Sequence, residues 1–221
     1  MSKDTIPINE IFYSISGEGL SMGTPAVFIR VAGCNFAERG HPCLYCDTVY
    51  AQHQTMGYEN TIESIILQVS QYPARLVIIT GGEPLCYYAQ VKKLATLLLN
   101  SYNVEIETNG SFKIWIGKPA VRWSLDIKTP CSGNQKHNEY SNLPVLNEAD
   151  QVKFVIASKE DFDFAVDLLR HWPCKAHVFF QPSYGVLDPT ELAEWIKQMP
   201  NPAVRLGIQS HKILYGQRRG V

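Results

Sequence analysis

Residues 26–31, Ala-Val-Phe-Ile-Arg-Val, form an apolar run broken only by Arg30. A short run of this kind predicts a strand buried on both faces. Residues 76–80 repeat the pattern, and further strands are predicted at 104–107, 121–128, 151–156, 176–181 and 204–209. Between them the period changes. Ile62, Ile65, Ile66 and Val69 fall on one helical face, as do Val91, Leu94, Ala95 and Leu98. Asn60 and Glu63 stand three apart, as in a capping box. Ser158 starts another helix, with Asp161 at its third position. Asp188-Pro189-Thr190-Glu191 supplies an N-cap, a proline at the first turn and an acidic third position.

Strand and helix alternate, which predicts an α/β fold with a mainly parallel sheet. About seven strands are legible but only four helices, and no helical stripe fills 108–120 or 129–150. A closed eight-fold barrel typically takes about 250 residues, and this chain has 221. The expectation is a shortened, open, partial TIM-like β/α barrel with few helices. Its working residues belong at the C-terminal ends of the strands. The loop-like stretches 35–42 and 131–147 do not resemble boundaries, so residues 1–221 are read as a single domain.

Lys and Arg total 20 against 21 Asp and Glu, a net charge of −1. That balance gives no global pull toward nucleic acid or a membrane surface. The first residues, Met1 to Thr5, lack the apolar run of a signal peptide, so a cytoplasmic location is the default expectation. Reduced compartments disfavour structural disulfides, yet six cysteines are present, three of them between positions 34 and 46.

Cys34, Cys43 and Cys46 are spaced C-x8-C-x2-C, just past the first predicted strand. Thiolates select zinc or iron–sulfur clusters. A structural zinc wants a fourth ligand, for which His41 or His53 stands nearby. Three cysteines alone suit a four-iron cluster with one iron left open. Thr80-Gly81-Gly82-Glu83-Pro84 follows the second buried strand directly. Its glycines allow close backbone approach, and Glu83 offers an acceptor for an amine.

With these two motifs the sequence resembles the radical S-adenosylmethionine (SAM) superfamily. There three cysteines hold a [4Fe-4S] cluster and SAM chelates the fourth iron. One electron then releases a 5′-deoxyadenosyl radical that abstracts hydrogen from a substrate. A narrower resemblance spans nearly the whole chain. It rests on Asn9-Glu10-Ile11-Phe12, Ser16-Gly17-Glu18-Gly19, Phe28-Ile29-Arg30, Ala32-Gly33-Cys34-Asn35 and Cys46-Asp47-Thr48. It continues through Ile106-Glu107-Thr108-Asn109-Gly110, Asp126-Ile127-Lys128, Gln181-Pro182, Gln209-Ser210-His211-Lys212 and the ending Tyr215-Gly216-Gln217-Arg218-Arg219-Gly220-Val221. Together these are similar to 7-carboxy-7-deazaguanine synthases. That family contracts 6-carboxy-5,6,7,8-tetrahydropterin to 7-carboxy-7-deazaguanine with loss of ammonia, a step toward queuosine and other deazapurines. The resemblance implies a carbon–nitrogen lyase that uses a [4Fe-4S] cluster, SAM and Mg²⁺. It also implies a homodimer served by an external electron donor of the flavodoxin or ferredoxin type. Neither nucleic acid nor membrane is expected as a partner.

The resemblance assigns Cys34, Cys43 and Cys46 to the cluster, and Thr48 with Asp47 to Mg²⁺. It assigns Ile15, Ser16, Gly17, Glu18, Arg30, Thr80 and His211 to the substrate. It assigns Gly81, Gly82, Glu83, Asn109, Asp126, Ile127, Lys128, Gln181, Pro182, Ser183 and Tyr184 to SAM. Ser16 replaces a frequent glutamine and is carried only as a backbone contact. Plain readings stand beside these. Arg30 suits a substrate carboxylate or a core carboxylate partner. Glu18 suits pterin N–H groups or solvent. Lys128 suits the SAM carboxylate or the surface. Cys131 is read as lining the site, Arg218 and Arg219 as a solvated tail, and Cys86 and Cys174 as bystander thiols. Two other functions compete: an activase that installs a glycyl radical on a partner protein, and a zinc-stabilised binding module without catalysis.

Overall fold

The computed structural model describes residues 4–200 and 203–221. Met1 to Lys3, part of the stretch read for a leader, lie outside the described residues. The strands are β1 (Thr5–Ile15), β2 (Pro25–Val31), β3 (Tyr58–Thr61), β4 (Leu76–Gly81), β5 (Asn103–Thr108), β6 (Arg122–Ile127), β7 (Gln151–Ile156), β8 (His177–Pro182) and β9 (Val204–Leu206). The helices are α1 (Asn35–Glu38), α2 (Ile62–Val69), α3 (Tyr88–Leu98), α4 (Lys159–His171), α5 (Pro189–Lys197) and α6 (Ser210–Tyr215). All nine strands join one sheet in the order β3-β1-β2-β4-β5-β6-β7-β8-β9. From β2 to β9 every pairing is parallel, while β1 runs antiparallel to both its neighbours. The end strands β3 and β9 do not meet, so the sheet is the expected open barrel.

Register sorts the side chains into two layers, because paired residues point to the same face. On the convex face lie Val27 with Val77, Ile29 with Ile79, Ile106 with Trp123, and Val152 with Val178. They pack against Ile62, Ile65, Leu94, Leu98, Phe162 and Leu192 from the helices. Burying each such side chain contributes about 1.5–3 kcal/mol. On the concave face Arg30 pairs with Thr80, Glu107 with Ser124, Asp126 with Lys153, and Val155 with Gln181. The same strands thus build an apolar exterior under the helices and an interior that is polar toward their C-terminal ends, with an apolar patch of Ala26, Phe28, Leu76 and Ile78 at the opposite end.

The structure corrects the sequence reading at several points. Among the described residues the strands number nine, two more than the pattern predicts, because β1 and β3 escape it. β1 carries Pro7 and a register shift between Ile8 and Glu10, and β3 is polar and largely exposed. The cap of α2 is Thr61, whose Oγ1 accepts from the Ser64 N–H at 3.2 Å, while Asn60 is in β3. The last strand stops at Leu206, where Gly207 follows. Helices α1 and α6 are too short to show a stripe. The caps at Ser158 and Asp188 form as expected, and the 108–120 and 129–150 segments hold no α-helix.

Candidate active site

A cavity of about 430 Å³ opens at the C-terminal ends of the parallel strands. It brings Cys34, Cys43 and Cys46 to the same space as Glu18, Arg30 and Thr80. Many of the cavity residues arrive by a strand end, while Cys43 and Cys46 come from the irregular loop after α1. Cys34 follows β2, Gly81 closes β4, Asn109 follows β5, Lys128 follows β6, and Gln181 and Pro182 close β8.

None of the six cysteines is in a disulfide. Burial pushes the Cys34 and Cys43 thiols up from their usual pKa, so a cationic guest that accepts thiolates would repay their desolvation. Among the described residues no three His, Cys, Asp or Glu side chains converge tightly enough to hold a single metal ion. His41 and His53, the alternative zinc ligands, do not line the cavity; His53 faces Glu38 at 3.6 Å. Cys34, Cys43 and Cys46 all line this one cavity, a soft thiolate donor set of the kind that holds an iron–sulfur cluster.

The glycine turn has a local reason. A Cβ at Gly82 would sit 2.2 Å from the Gly33 carbonyl oxygen, and one at Gly81 would sit 2.3 Å from that of Val31. The Glu83 N–H donates to the Gly33 carbonyl at 2.8 Å. These glycines therefore let the turn close on the chain's own cysteine loop. Both also line the cavity, but Glu83 does not. Its carboxylate is fully buried, accepting from the N–H of Leu85 (2.8 Å), the N–H of Asn109 (2.6 Å) and the Thr108 hydroxyl (2.8 Å). Burial raises its pKa to about 7 against these donors. Glu83 thus braces Asn109, which does line the cavity. Ile127 likewise belongs to the convex core.

Glu18 is not a solvated charge. Lys153 Nζ donates to one of its oxygens at 2.8 Å and Gln209 Nε2 to the other at 2.7 Å. Burial would raise its pKa, but Lys153 and these hydrogen bonds outweigh that and hold it at about 2. Arg30 meets a carboxylate partner, its Nε 2.8 Å from Glu10, and its side chain also lines the cavity. Thr80 donates to Glu107 at 2.5 Å. Burial pushes the Glu107 carboxyl up to about 7, opposed by Lys153. Ile15, Ser16, Gly17 and His211 also face the cavity. The Ser16 N–H is already paired with the Thr24 carbonyl, while its own carbonyl accepts from the Gly23 N–H and keeps a second lone pair. Burial lowers the His211 pKa and keeps the ring neutral near pH 7.

On the other side, Lys128 is buried, not a surface lysine, and meets Asp126 at 2.8 Å. Burial opposes its charge, but Asp126 keeps its pKa well above the ordinary value. Asp126 Oδ1 is buried without a partner, an acceptor that an amine would satisfy. Together with Gly81, Gly82, Gln181, Pro182, Ser183 and Tyr184 it forms a cradle that fits an amino-acid-bearing nucleoside. Asp47 and Thr48 sit at the same cavity, their side chains 3.0 Å apart, with Lys212 Nζ 3.4 Å from Asp47. These hard oxygens suit Mg²⁺, which takes few protein ligands. Cys131 does not line the cavity; its sulfur lies 3.2 Å from Ser158 Oγ. Arg218 and Arg219 are exposed as expected of a tail, but both also line the cavity, and the Arg219 guanidinium lies 3.4 Å from the Tyr50 ring centroid.

Lys153, Glu107, Gln209 and Glu10 were missed as site residues. The signal was present for two of them. Glu107 and Lys153 are charges within strands, at the positions alternate to the core residues Ile106, Val152 and Phe154.

Residues 28–132 match the radical SAM superfamily. The 7-carboxy-7-deazaguanine synthase of Chlorobaculum tepidum is 38% identical, with 97% of this chain and 96% of that protein covered. The protein of the same name from Clostridium acetobutylicum is 36% identical, covering 96% and 97%. That from Leptospira interrogans is 32% identical, covering 97% of both. The crystal structure of QueE from Escherichia coli superposes with a TM-score of 0.69 over 93% of this chain and 94% of that one, at 24% identity.

Proposed function

The chain belongs to the 7-carboxy-7-deazaguanine synthase family of radical SAM enzymes, and from that premise we propose how its cavity works. It is a carbon–nitrogen lyase that converts 6-carboxy-5,6,7,8-tetrahydropterin to 7-carboxy-7-deazaguanine with loss of ammonia. The activase and zinc-module readings fall away with the family assignment. Cys34, Cys43 and Cys46 hold the [4Fe-4S] cluster. Gly81, Gly82, Asn109, Asp126, Lys128 and the Gln181–Tyr184 segment hold SAM, with Asp126 Oδ1 meeting its amine and Lys128 its carboxylate. When bound, the cluster and SAM supply the one-electron cleavage that starts hydrogen abstraction.

The chain's own residues orient the pterin. Arg30 presents the rest of its guanidinium fork to the substrate carboxylate, its Nε being held by Glu10. Glu18, kept anionic, retains lone pairs for the amino and ring N–H groups. His211, neutral, lies against Gly17, where a Cβ would be 2.2 Å from its Nδ1, and adds a ring hydrogen bond. Thr80, donating to Glu107, keeps its oxygen as an acceptor. Glu107 exchanges a proton near neutrality and serves the departing nitrogen. Thr48 and Asp47 would hold Mg²⁺, which would supply Lewis-acid stabilisation of charge on the substrate carboxylate. The working form is a cytoplasmic homodimer, each chain one domain over residues 1–221. Its electron comes from a flavodoxin- or ferredoxin-type donor.

The observation that carries this reading is the convergence of the three cysteines with Arg30, Glu18 and Thr80 on one cavity. The test is an anaerobic assay with reductant, SAM, Mg²⁺ and 6-carboxytetrahydropterin, read by mass spectrometry. The expected product is 7-carboxy-7-deazaguanine. Formation of 5′-deoxyadenosine without deazaguanine would sink the substrate assignment and leave the radical chemistry.

A further inference from the structure

The eight residues between Cys34 and Cys43 pose a mechanical problem. Cys34 is fixed at its end of the loop, its N–H donating to the Gln52 carbonyl at 2.8 Å. Residues 39–48 form neither helix nor strand, so Cys43 needs an anchor from elsewhere. That anchor is Asn134, on a different loop. Its amide donates to the His41 carbonyl at 3.0 Å and lies 3.6 Å from Cys43 Sγ. One side chain thus holds both the end of the insertion and the cysteine that follows it. The neighbouring Leu44 N–H donates to the Ser132 carbonyl at 3.2 Å.

Asn134 is itself rigidly placed. It is 1% exposed. Its N–H donates to Ser132 Oγ at 3.0 Å, and that hydroxyl donates to the Thr129 carbonyl at 2.6 Å. Gly133, at φ +76, turns the chain so that the side chain points back at the cysteine loop. The arrangement carries a cost, because Asn134 Oδ1 is buried without a partner. A merely apolar anchor would avoid that cost, so the benefit lies on the N–H side, where the His41 carbonyl, the Ser132 carbonyl at 3.5 Å and the Cys43 sulfur are gathered. Asn109 makes a longer contact of the same kind, 3.8 Å to Cys34 Sγ.

We propose that Asn134 is a positioning residue that ties Cys43 to the sheet and, through its N–H on the Cys43 sulfur, raises the reduction potential of the cluster. This rests on the cluster assignment above. An N–H dipole at a ligand sulfur stabilises the more electron-rich, reduced cluster, and hydrogen bonds to the sulfurs set such potentials. The cluster must accept an electron from a donor before any turnover, so this contact bears on the first step.

The experiment is an EPR-monitored redox titration of the full chain, reconstituted anaerobically, with iron analysis alongside. Asn134→Leu keeps the size and removes the donor; Asn134→Asp keeps the shape, removes the N–H and adds negative charge. Both are expected to lower the midpoint, Asp further than Leu. For Leu the reduced-to-oxidised ratio at a fixed poise is expected to fall about tenfold, equal to about 59 mV for a one-electron couple. The signal comes only from chains that hold a cluster, so partial loading does not blunt the readout. Midpoints equal to wild type in both variants would overturn the proposal, even if iron content fell. Wild-type protein that takes up no iron would instead sink the cluster assignment itself.

Discussion

Single residues in the cavity carry opposite electrostatic histories. Glu18 has its pKa held near 2, below its usual 4.5, by Lys153 and Gln209 against the cost of burial. Its contribution to stability is therefore full above about pH 4.5 and lost as pH falls toward 2. Glu107 is the reverse, raised from 4.5 to about 7 chiefly by burial. The folded state holds its proton more tightly than the unfolded chain, so its contribution is full below pH 4.5 and lost as pH rises through 7. Glu107→Gln is expected to remove that descending limb. Wild type should lose on the order of 2–3 kcal/mol relative to the variant between pH 4.5 and 7.5. Denaturant unfolding at the two pH values checks this, and parallel curves would contradict it. Cys43→Ala is expected to abolish cluster binding, from about four irons per chain to nearly none. Full iron retention would mean another thiol, such as Cys86, is the ligand.

At the scale of elements, the turn after β4 and the loop after β2 form one unit. Gly82 and Glu83 donate to the Val31 and Gly33 carbonyls at 3.0 and 2.8 Å, and Glu83 continues the link to Asn109 after β5. Gly82→Ala would force its Cβ against the Gly33 and Ala51 carbonyl oxygens, at 2.2 and 2.7 Å. Backbone cannot yield as a flexible side chain would. The expected destabilisation is about 1–3 kcal/mol or more, with iron content reduced as Cys34 is displaced. A melt and an iron assay check both. The sequence had pointed to the two glycines for a ligand's sake, whereas the structure gives them a prior duty in joining two strand ends.

For the molecule as a whole, an open sheet leaves one concave face for ligands and puts the apolar layer on the other. The helices cover only the convex side, so the strands must carry polar residues inward. Each inward charge then needs a partner, hence Arg122 with Glu105 at 2.7 Å and Lys153 with Glu18 at 2.8 Å. Ligand binding should stabilise this half-built barrel. SAM added at about 100 times its Kd to cluster-loaded protein is expected to add about 2.7 kcal/mol, read as a raised Tm. No shift with loaded protein would contradict the assigned cradle.

The sequence by itself determined the local features. The apolar runs named most of the parallel strands, and Ser158 and Asp188 named two helix starts, because these depend on neighbours a few positions away. The C-x8-C-x2-C spacing and Gly-Gly-Glu-Pro marked the two chemical loops, because each is contiguous in the chain. Tertiary structure alone decided the rest. Whether Glu83 faces a ligand or a brace depends on Thr108 and Asn109, 25 and 26 residues away. That Lys153 reaches Glu18 depends on a contact across 135 positions, and the hold of Asn134 on Cys43 spans 91. Such partners are set by sheet order and register, which local pattern does not encode.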